Sequence, residues 1–274
     1  MAEGRRRRRR RRVPTVWRVP DDMWNRIAVL LPIEEFLPTG GRRWLPPRRV
    51  LDGVLYVLRT GCQWKAVPRE FGSGSTIHRR FQRWVAAGCC EAIWQRLLHP
   101  YDLDVGLDWR WQSADASLHK APLGGKKTGP NPTDRAKTGT KRHHLTDGAG
   151  MPVAVALTAA NRPDKETIGA LLDARVVRAP GHIEQHLCLD KGDDYADAER
   201  AVRRRRYRPH IRRRGEERRA CRPGARPRRW VVERATSWFN RCRKLLIRWE
   251  KKPQNSLALV HFAAAIVVWR ALVG

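Results

Sequence analysis

Acidic residues are scarce in this chain of 274: 27 Asp and Glu stand against 57 Lys and Arg, a formal net charge of +30. Such a surplus of positive charge draws phosphate polymers by long-range steering and counterion release, which makes nucleic acid the default partner. The six cysteines, Cys62, Cys89, Cys90, Cys188, Cys221 and Cys242, contain no C-x-x-C pair, so free thiols in a reducing cytoplasm are expected. No apolar stretch follows the opening arginines, so no signal peptide is expected there. The one membrane candidate, SLALVHFAAAIVVWRALVG near the C-terminus, is interrupted by His261 and Arg270. It falls short of the ~20 apolar residues a bilayer requires and reads as a buried core helix, apolar on nearly all sides; no membrane partner is expected. No supersecondary unit repeats, and no ATP-binding loop is present.

What the chain has is 41% hydrophobic residues, enough for one large domain or one with a small companion. Arg5 to Arg12 are consecutive arginines, which repel one another and are expected to stay unfolded over residues 1–18, as a DNA arm or a solvated tail. Removing residues 1–12 takes away eight arginines and one glutamate and leaves +23, so the basicity is spread along the chain.

Residues 19–100 read as helical. Trp24, Ile27, Leu30 and Leu31 follow the aspartates of DDMWNRIAVLL at helical spacing, and Val50 to Leu58 makes a second helix ending at Gly61. After a short turn, Ser75 caps a third helix whose Ile77, Phe81, Trp84 and Val85 form one stripe, with Arg79, Arg80 and Arg83 on the other sides. Helix, tight turn and basic amphipathic helix outline a helix-turn-helix reader of DNA.

The texture changes over 105–274. A short strand ends near Asp115, and a loop rich in Gly, Pro, Lys and Thr runs from Gly124 to Arg142, carrying Lys126, Lys127, Lys137 and Lys141. HHLTDGAGMPVAVALTA reads as a hairpin turning at DGAG, DKETIGALLDARVV as a helix, HIEQHLCLDKG as a strand leading into Asp190, RYRPHIR as another strand, and the segment from Arg226 to Trp249 as one long helix. The order describes a mixed α/β domain.

Asp115 and Asp190, each at the carboxyl end of a strand, stand where ligands of α/β proteins bind. Two such carboxylates with a third acid can hold a pair of Mg²⁺ ions, since hard cations take oxygen ligands; DKGDD is equally compatible with an ordinary turn. Glu233 lies roughly opposite the apolar stripe of its helix, so periodicity makes it a solvated glutamate of the first turn. A zinc site from His182, His186 and Cys188 has permissible spacing; His143 and His144 read as strand or phosphate-facing residues.

GPNPTDRAKTGTKRHHLTDGAGMPVAVALTAANRPDKE, CLDKGDDY and RWVVERATSWFNRCRKL, with the helical front before them, resemble bacterial insertion-sequence transposases of the IS5 family, in the wider IS4/IS5 superfamily. The resemblance runs from about Val19 to Arg270. It implies an RNase H-like catalytic domain after a small helical DNA-binding domain, and metal-dependent cutting and joining of double-stranded DNA at terminal inverted repeats by a homo-oligomer on paired ends. It also implies two Mg²⁺ ions, with Mn²⁺ able to substitute, held by a DDE triad that falls on Asp115, Asp190 and Glu233. Asp193 stands where the family usually has an aromatic residue. Arg229 and Glu233 keep the superfamily signature's spacing, while Arg226 takes its tyrosine position and Asn240 its lysine position, leaving Arg241 or Lys244 to contact phosphate. A nuclease of the same fold, or a remnant that only binds DNA, are the alternatives.

Overall fold

The computed structural model describes residues 17–32, 45–190, 196–211 and 230–274. The arginine run, Asp193, Asp194, Cys221, Arg226 and Arg229 lie outside the described residues.

A mixed sheet organises the second part of the chain. Its strands are β1 (Trp111–Lys120), the two-residue β2 (Gly129–Pro130), β3 (Thr138–Asp147), β4 (Pro152–Ala159), β5 (Gln185–Leu189) and β6 (Tyr207–Ile211). Setting β2 aside, the spatial order is β4-β3-β1-β5-β6. The first three are antiparallel, whereas β5 runs parallel to β1 and β6 parallel to β5. Three meandering strands followed by two parallel ones reached by crossovers are the RNase H-like arrangement. The hairpin turns where DGAG places it: Gly150 takes φ +86°, and Asp147 Oδ1 accepts from the amides of Ala149 (2.9 Å) and Met151 (2.7 Å), the local bonding that suits Asp to turns.

Helices cover both faces. The short α5 (Ile168–Asp173) and α6 (Ala196–Arg203) pack together on one; α7 (Trp230–Asn240) lies across β1 and β3 on the other, and α8 (Pro253–Leu272) lies against β4. At twenty residues α8 is long and apolar enough to span a bilayer, contrary to the length read from sequence, but most of it is buried inside the protein. The expected long helix to Trp249 ends at Asn240. Beyond it Cys242 is extended, a 3-10 turn covers Arg243–Leu245, and Ile247 bridges to Lys120 of β1; sheet pairing wins over a helical periodicity that continues through Leu245 and Trp249.

Among the described residues four α-helices precede the sheet: α1 (Asp21–Ile27), α2 (Pro47–Thr60), α3 (Gly74–Ala86) and α4 (Cys89–Asp104). α2 starts with Pro47 in its first turn and stops at Gly61 with φ +74°, the usual helix punctuation. Residues 61–73 hold two single-turn 3-10 helices where a tight turn is expected. A Cβ at Gly74 would stand 1.8 Å from the Trp64 carbonyl oxygen, so only glycine lets α3 start this close to the first of them. α4 is absent from the sequence reading, although Cys89, Cys90, Ile93, Trp94, Leu97, Leu98 and Tyr101 keep helical spacing and are all buried. It packs along α8, and Trp269 Nε1 of α8 donates to Asp22 of α1 (3.0 Å), so one apolar core runs from the front helices into the sheet.

Candidate active site

Asp115 sits in the middle of β1, not at its end. β3 pairs with β1 from Gln112 to Lys120, while the parallel ladder to β5 covers only Trp111, Ser113 and the residue between. The lip is therefore the end of β5, and Asp190 follows its last residue, Leu189. Trp111 pairs with His186 and Ser113 with Cys188. The ladder ends at Ser113 and Cys188, two residues short of Asp115 and Asp190, so the two aspartates leave neighbouring strands with the same parity. Both are half-buried. They border a cavity of about 60 Å³ that lies on the α5 side of the sheet, with Ala116, His143 and Asp164 and with Ile168 and Leu171 of α5.

Alternation decides the face. Asp115 is the cross-strand partner of His144, and directly paired residues of an antiparallel ladder project to the same side. His144 is fully buried under α7: its Nε2 donates to the Val232 carbonyl (3.2 Å) and lies 3.0 Å from Thr236 Oγ1. Burial, then the neighbouring Arg142 charge, push its pKa down to about 4. α7 thus covers the side of the sheet to which Asp115 projects. Its buried stripe is Val231, Val232, Ala235 and Phe239, and Glu233 is exposed, as the periodicity predicts.

A family model described as "Transposase DDE domain" matches residues 111–268. The chain belongs to the DDE transposase family. A second, "Putative transposase of IS4/5 family (DUF4096)", matches residues 19–94 of this transposase. Over 156 residues the transposase is 38% identical to "Putative transposase for insertion sequence element IS402" of Burkholderia cepacia, spanning 54% of this chain and 72% of that relative. Over 123 residues it is 33% identical to "Insertion element IS402 uncharacterized 16.2 kDa protein" of the same organism, 42% of this chain and 80% of the relative. Among solved structures, the Mos1 mariner paired end complex with Mn aligns over 84% of this chain and 82% of its own at 10% identity, with a TM-score of 0.27, too slight a likeness to add to what the strand order shows.

The basic positions of the transposase divide. Arg79, Arg83, Lys126, Lys127, Lys137 and Arg241 are exposed. Lys141 is half-buried and paired with Asp164 at 2.9 Å. Three others expected to meet phosphate are interior. Arg80 is 2% exposed, lies over the Trp84 ring and donates to the Leu45 carbonyl; its place three residues after Ile77 turns it inward. Arg142 is 2% exposed beneath α7, over the Phe239 ring at 5.0 Å and bonded to Asn240 Oδ1 at 3.3 Å. Burial lowers its pKa to about 10. Lys244 is buried beside Glu250 (3.4 Å) and the Trp64 ring. Arg248, unmarked in the sequence, is buried and donates to the carbonyls of Lys126 (2.7 Å) and Lys127 (3.0 Å), holding the basic loop from below.

The zinc alternative loses its members: His182 is exposed, while buried His186 bonds His210 (2.8 Å) and stacks on Trp111. Among the described residues no three or more His, Cys, Asp or Glu side chains gather as a metal group. His143 is buried and bonded to Thr158 Oγ1 (2.7 Å), on the face opposite His144.

Proposed function

We propose that Asp115, Asp190 and Glu233 are the catalytic carboxylates of this transposase, which binds the terminal inverted repeats of an insertion sequence, cuts there and joins the freed ends to target DNA. The observation that supports the reading is that Asp115 and Asp190, from the neighbouring strands β1 and β5, border one cavity just beyond the point where the parallel ladder stops. Two carboxylates from adjacent strands are the oxygen donors that a hard divalent cation takes. Asp115 and Asp190 would hold Mg²⁺, with Mn²⁺ able to substitute, and Glu233 would complete the set from α7. Bound there, the two ions would supply Lewis-acid activation of the attacking oxygen and stabilisation of the leaving one.

The protein's own part is positioning and charge. Arg79 and Arg83 on the exposed side of α3 would seat the front helices on the terminal repeats, in the manner of a helix-turn-helix reader. Lys126, Lys127 and Lys137 would bind backbone phosphates near the carboxylates, positioning without reading sequence; Arg241, and Arg229 ahead of α7, would add phosphate contacts. Pairing two element ends requires a homo-oligomer, acting at the bacterial nucleoid in the cytoplasm.

Incubating purified transposase with a plasmid that carries its gene and native flanks, with Mg²⁺ and with chelator, tests the reading. Metal-dependent breaks and joined products at a pair of inverted repeats are expected, and Asp115→Asn or Asp190→Asn should abolish them while end binding survives. Cutting retained by both variants would sink the assignment. Nicks never followed by joining would point to a nuclease, and binding without breaks in the native chain to a DNA-binding remnant.

A further inference from the structure

We propose that His144 is the positioning residue for the third carboxylate: by holding Val232 and Thr236 it sets the rotation of α7 about its own axis, and with it the place of Glu233 relative to Asp115 and Asp190. The inference rests on the reading of Glu233 as a catalytic group.

α7 is held down by its apolar stripe, but hydrophobic contact is non-directional and leaves a helix free to roll by small angles. Hydrogen bonds are directional, and two buried side chains of β3 make three of them to α7. His144 Nε2 reaches the Val232 carbonyl at 3.2 Å and Thr236 Oγ1 at 3.0 Å; Arg142 reaches Asn240 at 3.3 Å. A carbonyl only accepts, so the bond to Val232 is made with the proton on Nε2; the ring is also bonded to the Arg142 backbone of its own strand.

The position of these grips on the helix is what ties them to Glu233. Thr236 and Asn240 follow Glu233 by three and seven residues, so all three share one flank, within about 60° of one another at 3.6 residues per turn. The other flank carries Trp230, Arg234 and Trp238, with the Arg234 guanidinium 4.8 and 5.1 Å from the two rings. His144 is also the cross-strand partner of Asp115, so one imidazole links the strand neighbouring the first acid to the helix bearing the third. A roll of 20° at a side-chain radius of 5–6 Å moves a carboxylate by about 2 Å, and a misplacement of ~1 Å can cost ~10²-fold in rate.

The test compares His144→Phe, which keeps a ring against Phe239 but has no donor, with His144→Gln, which restores one, and with Glu233→Gln. Four readouts are taken: melting temperature, binding of a labelled element end, hydrogen exchange over residues 230–240 without metal, and single-turnover cleavage against Mg²⁺ concentration. His144→Phe should bind the end within twofold of the native protein, exchange faster over 230–240, cleave about 10²-fold more slowly and need more Mg²⁺ for half its maximal rate; His144→Gln should recover most of that loss. Should His144→Phe lose its melting transition, Thr236→Val removes one of the two His144 contacts from the helix side and should shift the same readouts in the same direction by a smaller amount. Cleavage within threefold of native at an unchanged Mg²⁺ requirement, with Glu233→Gln inactive, would overturn the role of His144. Full cleavage by Glu233→Gln would instead overturn the reading of the third acid on which it rests.

Discussion

The basic loop between β1 and β3 and the side-chain layer beneath it are built from the same residue types with opposite fates. Lys126, Lys127 and Lys137 stand in water. Directly below, Arg248 is 5% exposed, and its guanidinium donates to four carbonyls, of Lys126, Lys127, Glu250 and Lys251, and to the Thr140 hydroxyl. Arg142 and Lys244 are buried in the same layer. A formal charge of +30 therefore sums two populations, one facing solvent and one buried against the protein's own oxygens and rings. Burying a cation is tolerated only where such oxygens replace water, and their supply decides which population a residue joins.

Acid should strike the buried layer hardest. Burial, the leading cause at each, lowers the pKa of His119 to about 3 and of His143, His144 and His261 to about 4. A histidine depressed in the folded state contributes stability that is present above its unfolded value near 6.5 and is lost as pH falls through the folded one. Asp147 works in the opposite sense: burial raises it to about 6, so its contribution is lost as pH rises from the usual carboxylate range through 6. Four histidines outweigh one aspartate. The melting temperature should fall steeply between pH 6.5 and 4, and His144→Gln should flatten the fall; a flat profile down to pH 4.5 would mean that the buried imidazoles are not held neutral.

Arg248→Ala comes next. It leaves carbonyls of two segments without their donor and should cost about 3 kcal/mol in urea unfolding, with protease sensitivity appearing around residues 124–128. Arg248→Lys should recover less than half, since an ammonium cannot serve the guanidinium's fork of donors. Lys126→Ala, a few ångströms away, should stay within about 0.5 kcal/mol. Equal losses would erase the contrast between layer and loop.

Local signals were readable in the sequence and partner-dependent ones were not. The β3–β4 hairpin follows from DGAG between alternating strands, and α2 from its apolar spacing and closing Gly61. α4 was equally readable from Cys89 to Tyr101. The strand holding Asp115 runs on to Lys120 because its last half depends on β3, whose register no local pattern in β1 announces. The end of α7 was hidden because the apolar period runs on into a segment that pairs with Lys120. Arg80, Arg142 and Lys244 look like any surface cation until Leu45, Asn240 and Glu250 are brought to them. For the acids, the pattern supplied two strand-associated aspartates, the family resemblance supplied Glu233, and what neither contained is that β1 and β5 are neighbours and that Asp115 and Asp190 border one cavity.

The smallest effect separates the two populations most directly. Arg79, Arg83, Lys126, Lys127 and Lys137, changed singly to Ala, should leave the melting temperature within about a degree, because an exposed side chain without a buried partner contributes little to folding. Each that meets a phosphate should lower the dependence of log affinity on log salt by ~0.9, with the loss similar for element ends and unrelated duplex if the contact positions and does not read sequence. Arg80→Ala is the counter-case on the same helix: it removes a side chain bonded to Leu45 and stacked on Trp84, so stability should fall while the salt slope of the fraction still folded stays unchanged. A salt slope that dropped for Arg80→Ala and not for Arg79→Ala would mean that α3 presents its other side to DNA, and that the interior position of Arg80 is given up on binding.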